Sequence, residues 1–287
     1  MNKTNIGWIN GLLGVIIFAG SMPATRIAVT GFSPTFLTAI RATIAAVLAL
    51  LCLLWFKQQR PQSNQYLSLI IVSVGVVVGF PLFSALALQN ISASRALVFV
   101  ALLPLCTAMF GVLRAGENPN ARFWLFTLLG SSFVLAYMLL QDQSYHLVSG
   151  DVYMIAAVLA CGLGYAEGGH LSKVLGGWQV ICWALIVAFP LMLVLTLYYF
   201  PANFTEVSYS AYAGLAYVSI FSMLIGFFFW YKGLAMGGIA KVGQIQLLQP
   251  FIGLTLCAII LGENINIDMI IVCVAVVICV MLAKRFA

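Results

Sequence analysis

Apolar runs about as long as a lipid bilayer is thick follow one another along nearly the whole chain, and few folds accommodate that pattern. A hydrocarbon core of about 30 Å is crossed by about 20 helical residues. Cutting the sequence at clusters of polar residues, Gly, Pro and Asn gives runs near 7–29, 34–56, 66–88, 92–113, 123–140, 150–171, 178–199, 209–231, 240–261 and 267–283. The runs are continuous and do not alternate, which argues against the strands of a membrane barrel. Only 7% of the residues are charged, against about 25% in a soluble domain, so the chain cannot cover a water-facing surface. The expectation is an all-α integral membrane protein of ten transmembrane helices. Lys3 before the first run resembles the start of a secretory leader, but that run is long enough to span, and further spans follow it. It reads as a retained first helix.

The net charge of +6 could suggest nucleic acid, but its distribution gives another meaning. With the N-terminus on the inner side, Lys3, Lys57, Arg60, Arg114, Arg122, Lys173, Lys232, Lys241, Lys284 and Arg285 all fall inside. Only Arg26 and Arg95 fall outside, and Arg41 lies within the second run. Asp142, Asp151, Glu206, Glu263 and Asp268 gather on the outer side, with Glu117 inside. The excess of cytoplasmic Lys and Arg predicts a multi-pass protein of a bacterial inner (plasma) membrane with both termini in the cytoplasm. The cysteines (Cys52, Cys106, Cys161, Cys182, Cys257, Cys273 and Cys279) lie inside apolar runs, form no CxxC pair and are odd in number. That pattern is neither a disulfide framework nor a metal site, and they read as small packing residues.

The chain carries an internal echo. Residues 83–120 align with 229–266 at a constant offset of 146, without a gap. Arg95 meets Lys241, Pro104 meets Pro250, Gly116-Glu117-Asn118 meets Gly262-Glu263-Asn264, and Asn120 meets Asn266. Two repeats of five helices follow, residues 1–144 and 145–287. Because five is odd, the second repeat enters the membrane from the opposite side. Inverted repeats of this kind build secondary transporters, since two mirrored halves can rock between inward-open and outward-open states.

With these features the chain resembles the drug/metabolite transporter superfamily, specifically its EamA-type members. The resemblance rests on the paired five-span halves, the Gly-Glu-Asn tags after spans four and nine, Pro104, Pro250, and Arg41 early in span two. It covers essentially the whole chain. It implies a ten-helix fold, cytoplasmic termini and a central cavity lined mainly by spans one, three, four, six, eight and nine. It also implies transport of amino acids, related metabolites or toxic compounds, without naming a substrate. The chain is too long for the four-helix small multidrug exporters of that superfamily. It lacks the Lys/Arg cluster expected of sugar-phosphate carriers.

Candidate site residues follow from polar groups and helix breakers inside apolar runs. Broken helices offer backbone groups to polar ligands. Gly20 and Pro23 in span one, Gly164 and Gly168 in span six, Pro104 in span four and Pro250 in span nine are expected breaks or hinges. Each glycine can equally serve close helix packing. Glu167 is a carboxylate inside span six, costing about 2.5–3.5 kcal/mol at a helix centre. It is expected either to bind a proton or a cationic group of the substrate, or to pair with Arg26, His170 or Lys173. His170 lies one turn beyond it, and Tyr165 precedes it on the same span. Gln246 and Gln249 in span nine, with Gln244 offset from them, offer neutral donors and acceptors suited to zwitterions. Ser84 and Trp230 are candidate cavity walls, although Trp230-Tyr231-Lys232 also reads as a cytoplasmic interfacial anchor. Arg41 is expected to pair with an acid near the outer surface, with direct anion binding as the alternative.

No nucleophile–His–Asp set, metal spacing, P-loop or dinucleotide fingerprint is present in the sequence, so no catalytic residue, cofactor or metal is expected. The expected partners are a small-molecule substrate, the lipid bilayer and a proton as candidate coupling ion, with no nucleic acid. The protein is expected to be a monomer or homodimer. The reading is a secondary transporter exporting amino acids or related compounds by alternating access. An intramembrane enzyme acting on a lipid-linked substrate and a passive channel are the alternatives.

Overall fold

The computed structural model describes residues 3–141, 148–201, 207–261 and 267–286. The described residues form helices and connections, with no strand among them. The helices are α1 (Lys3–Ala28), α2 (Pro34–Trp55), α3 (Ser63–Asn90), α4 (Ala93–Val100 continuing as Leu103–Ala115) and α5 (Ala121–Gln141). They continue as α6 (Ser149–Leu175), α7 (Gly177–Tyr198), α8 (Tyr209–Gly237), α9 (Ile239–Ile260) and α10 (Ile267–Phe286). Seven of them, α1, α2, α3, α6, α7, α8 and α9, are long and apolar enough to cross a membrane. Shorter apolar stretches lie at Leu103–Ala115 in α4 and Val274–Ala283 in α10. This is the all-helical membrane architecture that the apolar runs require. The second tag, Gly262-Glu263-Asn264, with Asn266, Asp142, Glu206 and the boundary at residues 144 and 145, lies outside the described residues. So do the side chains of Cys257, Cys273 and Lys284.

Local sequence explains where helices start. Ser33 caps α2, its Oγ accepting from Phe36 N at 3.4 Å, with Pro34 in the first turn. A proline there loses nothing, because its missing N–H would have had no intrahelical partner. Ser208 caps α8 in the same way, accepting from Ala211 N at 3.3 Å.

Lipid tails are as apolar as leucine, so burial from water does not hold membrane helices together; close packing must. The α1–α8 interface shows this. A Cβ placed on Gly7 would sit 2.7 Å from Gly237 N, and one on Gly233 would sit 2.7 Å from Gly11 N. The two backbones therefore touch.

The helices break in related places. Gly20 interrupts α1 between Lys3–Ala19 and Ser21–Ala28, with Pro23 in the first turn of the second piece. In α4 the chain turns at Ala101 and Leu102 and restarts at Leu103, with Pro104 in the first turn. In α9 a tighter 3₁₀ segment, Gln244–Leu248, precedes a restart at Gln249, again followed by proline, Pro250. Leu103 and Gln249 are 146 residues apart (249 − 103), the offset of the repeat. Two wider π segments also occur, Ser73–Gly79 in α3 and Tyr217–Ile225 in α8. Their ends, Gly79 and Ile225, are separated by the same 146 (225 − 79).

One expected break is corrected. α6 runs without interruption through Gly164 and Gly168. These glycines make room for neighbours. A Cβ on Gly164 would meet Val76 Cγ1 at 2.7 Å, and one on Gly168 would meet the Tyr231 ring at 2.3 Å.

Candidate functional site

A cavity open in part to solvent lies beside the breaks in α1 and α9. Its lining comes from α1 (Phe18, Ser21), α2 (Arg41), α3 (Val76, Phe80, Pro81), α6 (Cys161, Tyr165), α8 (Ser222, Met223, Phe227) and α9 (Gln249). Among the described lining residues, the helices differ in one member from the set implied by the resemblance. α2 contributes, through the long side chain of Arg41, and none of these lining residues comes from α4. Both π segments reach the cavity, with Val76 inside one and Ser222 and Met223 inside the other. A π turn displaces the helix locally and recurs at functional sites.

The polar groups of the cavity are few. Arg41 is only 5% exposed. Its Nη2 donates to Ser222 Oγ at 3.4 Å, and its Nε has no partner. Ser21 Oγ donates to the same Ser222 Oγ at 2.8 Å. Gln249 is buried, and its Oε1 accepts from no described group. Among the described residues no acid bonds to Arg41, and a serine hydroxyl accepts from it. Among the described residues, Glu167, Asp151 and Glu117 are engaged elsewhere, and Asp268 is exposed.

Around these groups lies an aromatic wall. Phe18 and Phe227 have ring centroids 4.9 Å apart, Tyr165 and Trp230 are 5.3 Å apart, and Phe227 and Tyr231 are 5.1 Å apart. Tyr231 Oη donates to Gly164 O at 3.1 Å. Trp230 and Tyr231 are fully buried, so the interfacial-anchor reading of that pair is corrected. The glycine faces of α1 and α6 leave space that only large rings fill, and Gly14 lies against Trp230 as Gly168 lies against Tyr231.

Glu167 belongs to a different cluster. Its Oε2 accepts from Arg114 Nε at 2.7 Å, and its Oε1 accepts from Ser68 Oγ. The partner is thus Arg114 on α4, and not Arg26, His170 or Lys173. Arg26 donates to Leu88 O, and His170 and Lys173 are exposed. At the other end of the same two helices, Arg95 holds Asp151 through two bonds of 2.9 Å. Asp151 also accepts from Val148 N at 2.9 Å, at the start of α6. α4 and α6 are thereby clasped at both ends.

Glu117, the acid of the first tag, has a defined task. Its Oε1 accepts from Ile239 N at 2.7 Å and its Oε2 from Ala240 N at 2.6 Å. It caps the first turn of α9, where unpaired N–H groups carry partial positive charge. The turn into that helix passes through Gly238, whose φ of +91° strains any side chain.

Of the residues singled out from sequence, the cavity gathers Arg41, Tyr165 and Gln249, with Gly20 beside Ser21 at its break. Gln246 is buried outside that lining, its Oε1 accepting from Thr107 Oγ1 at 3.4 Å. Ser84 turns back to its own helix, donating to Pro81 O at 3.2 Å. Trp230 supports the wall from behind Tyr165 and Phe18. Sequence reasoning passed over Ser222, Phe18 and Phe227. Ser222 had a legible signal: with Ser219 it lies three residues apart within an otherwise apolar run.

Comparison with known proteins places this geometry in a family. The sequence model of the EamA-like transporter family matches twice, over residues 5–139 and 148–284. The uncharacterized transporter YdeK of Bacillus subtilis (strain 168) is 54% identical over 287 residues, covering 100% of both chains. An uncharacterized transporter of Synechocystis sp. is 22% identical, over 92% of this chain and 86% of its own. A solved crystal structure superposes with a TM-score of 0.73 at 17% identity, over 99% of this chain and 97% of that one, and so shares the fold. A multi-pass membrane protein with this helix order, matched along nearly its whole length, belongs to the EamA-like transporter family.

Proposed function

We propose that the protein is a secondary carrier that exports amino acids or related small metabolites across a bacterial inner membrane by alternating access. It crosses the membrane ten times as two inverted halves, residues 1–144 and 145–287, with both termini in the cytoplasm. The observation that carries this reading is the composition of the cavity. Phe18, Ser21, Arg41 and Val76 come from the first half, and Tyr165, Ser222, Phe227 and Gln249 from the second. A pocket shared across a repeat interface is opened and closed when the halves rock. The helix breaks at matching positions supply the places where the helices can bend.

In this reading Tyr165 and Gln249 contact the substrate, Gln246 and Ser84 hold the lining helices, and Gly20, Pro23, Pro104 and Pro250 are hinge points. Glu167 is the candidate group for proton coupling, working through its bonds to Arg114 and Ser68. The test is counterflow of a labelled amino-acid pool in proteoliposomes, with and without an imposed pH gradient. Saturable counterflow is expected. Flux that does not saturate, at rates beyond a carrier, would instead mean a channel.

A further inference from the structure

Four acids lie among the described residues, and none faces Arg41. Glu167 is held by Arg114, Asp151 by Arg95, and Glu117 caps α9. Asp268 is exposed in the first turn of α10. The guanidinium of Arg41, itself buried, therefore lines an aromatic-walled cavity with one long bond to a serine and an idle Nε. Arg carries five N–H donors in a planar fork. A charge withdrawn from water without a counter-ion is destabilising, and one retained inside a membrane bundle marks a functional site.

We infer that Arg41, with Ser222 and Ser21 beside it, is an anion subsite, and that the molecule bound in this cavity carries a carboxylate. The inference rests on the carrier reading for its transport meaning, and on the unpaired guanidinium for its chemistry. The fork of Arg matches the two oxygens of a carboxylate. A phosphate monoester presents the same oxygens but brings up to two charges, and no second cation lines the cavity. Gln249 Oε1, buried and unpartnered, accepts an N–H or O–H from the same molecule. Phe18, Tyr165 and Phe227 receive its apolar part.

Matched pairs of small molecules test this on the purified full-length protein. Propionate, lactate, alanine and leucine are compared with their primary amides, and with glycerol phosphate, by the rise in melting temperature that each produces. A ligand bound only by the folded state raises stability with its concentration. At least one carboxylate is expected to bind about 10- to 100-fold more tightly than its amide, the value of a charged bidentate bond. Arg41→Met should remove that discrimination and, without ligand, melt at or above the wild-type temperature, because an unpaired buried charge has gone. Arg41→Lys should keep part of the preference.

Equal stabilisation by acids and amides, no stabilisation by any acid, or a preference for the phosphate ester would overturn the subsite. So would a lower melting temperature for ligand-free Arg41→Met, which would mean a structural arginine. Counterflow of the carboxylate that binds, measured in proteoliposomes, separates the two claims. Binding without counterflow removes the carrier reading and leaves the subsite. Counterflow of amides as fast as acids removes the subsite and leaves the carrier.

Discussion

The Arg114–Glu167 pair is asymmetric in a way that makes its two halves unequal when cut. The Glu167 side chain is 3% exposed, whereas that of Arg114 is 41% exposed. In Arg114→Met a carboxylate stays behind in a place nearly closed to water, with Ser68 as its remaining partner. Breaking a fully buried pair this way costs about 3–5 kcal/mol. Water can reach the vacated position beside the half-exposed arginine, so the lower end, about 3 kcal/mol, is expected. In Glu167→Gln the amide oxygen still accepts from Ser68, and the freed guanidinium turns into water. The loss there is one hydrogen bond to a charged group, about 1.5 kcal/mol. Combining both changes leaves no buried charge, so the double variant should lie close to Glu167→Gln alone and fall short of additivity by more than about 1 kcal/mol. The folded fraction after heating in detergent, read by size exclusion of a fluorescent fusion, gives the order. Glu167→Gln as damaging as Arg114→Met, or strictly additive effects, would refute the account of a buried carboxylate held by a half-exposed arginine.

Other expectations can be checked with the same variants and reagents. If Glu167 couples protons, stimulation of counterflow by a pH gradient should vanish in Glu167→Gln proteoliposomes while gradient-free counterflow persists; stimulation equal to wild type rejects that role. Gly168→Ala would place a methyl 2.3 Å from the Tyr231 ring and should destabilise by about 1–3 kcal/mol. Tyr231→Leu should recover much of that loss in the double variant, and no recovery would mean the ring is not the obstacle. Gly233→Ala meets backbone at 2.7 Å, where nothing can move aside, so it should separate α1 from α8 and admit no single-residue rescue. Glu117→Ala removes the cap from Ile239 and Ala240 and should cost about 0.5–2 kcal/mol, with Glu117→Asp intermediate; unchanged melting would show that the cap is dispensable.

Much of this protein was decided by its composition and its punctuation. A chain with so few charges has lipid as its solvent, and backbone groups in lipid must be satisfied within helices, so the fold class follows from the sequence without geometry. The internal echo could be read because prolines, glycines and a charged tag recur in it at a constant offset of 146. The breaks at Pro104 and Pro250 were visible because proline is favoured in the first turn of a helix, where its missing N–H costs nothing, and so marks a restart. What no linear pattern could give was which groups meet. Glycine in α6 looks alike whether it unwinds a helix or admits a ring, and only the position of Tyr231 decides. The π segments at Ser73–Gly79 and Tyr217–Ile225 were not anticipated from the sequence. Arg41 was expected to find an acid, and Glu167 a neighbour on its own helix or in α1. Tertiary structure instead joined Glu167 to Arg114, 53 residues away, and left Arg41 facing the cavity with a serine. Pairing of charges depends on distance in space, and the order of residues along the chain does not contain it.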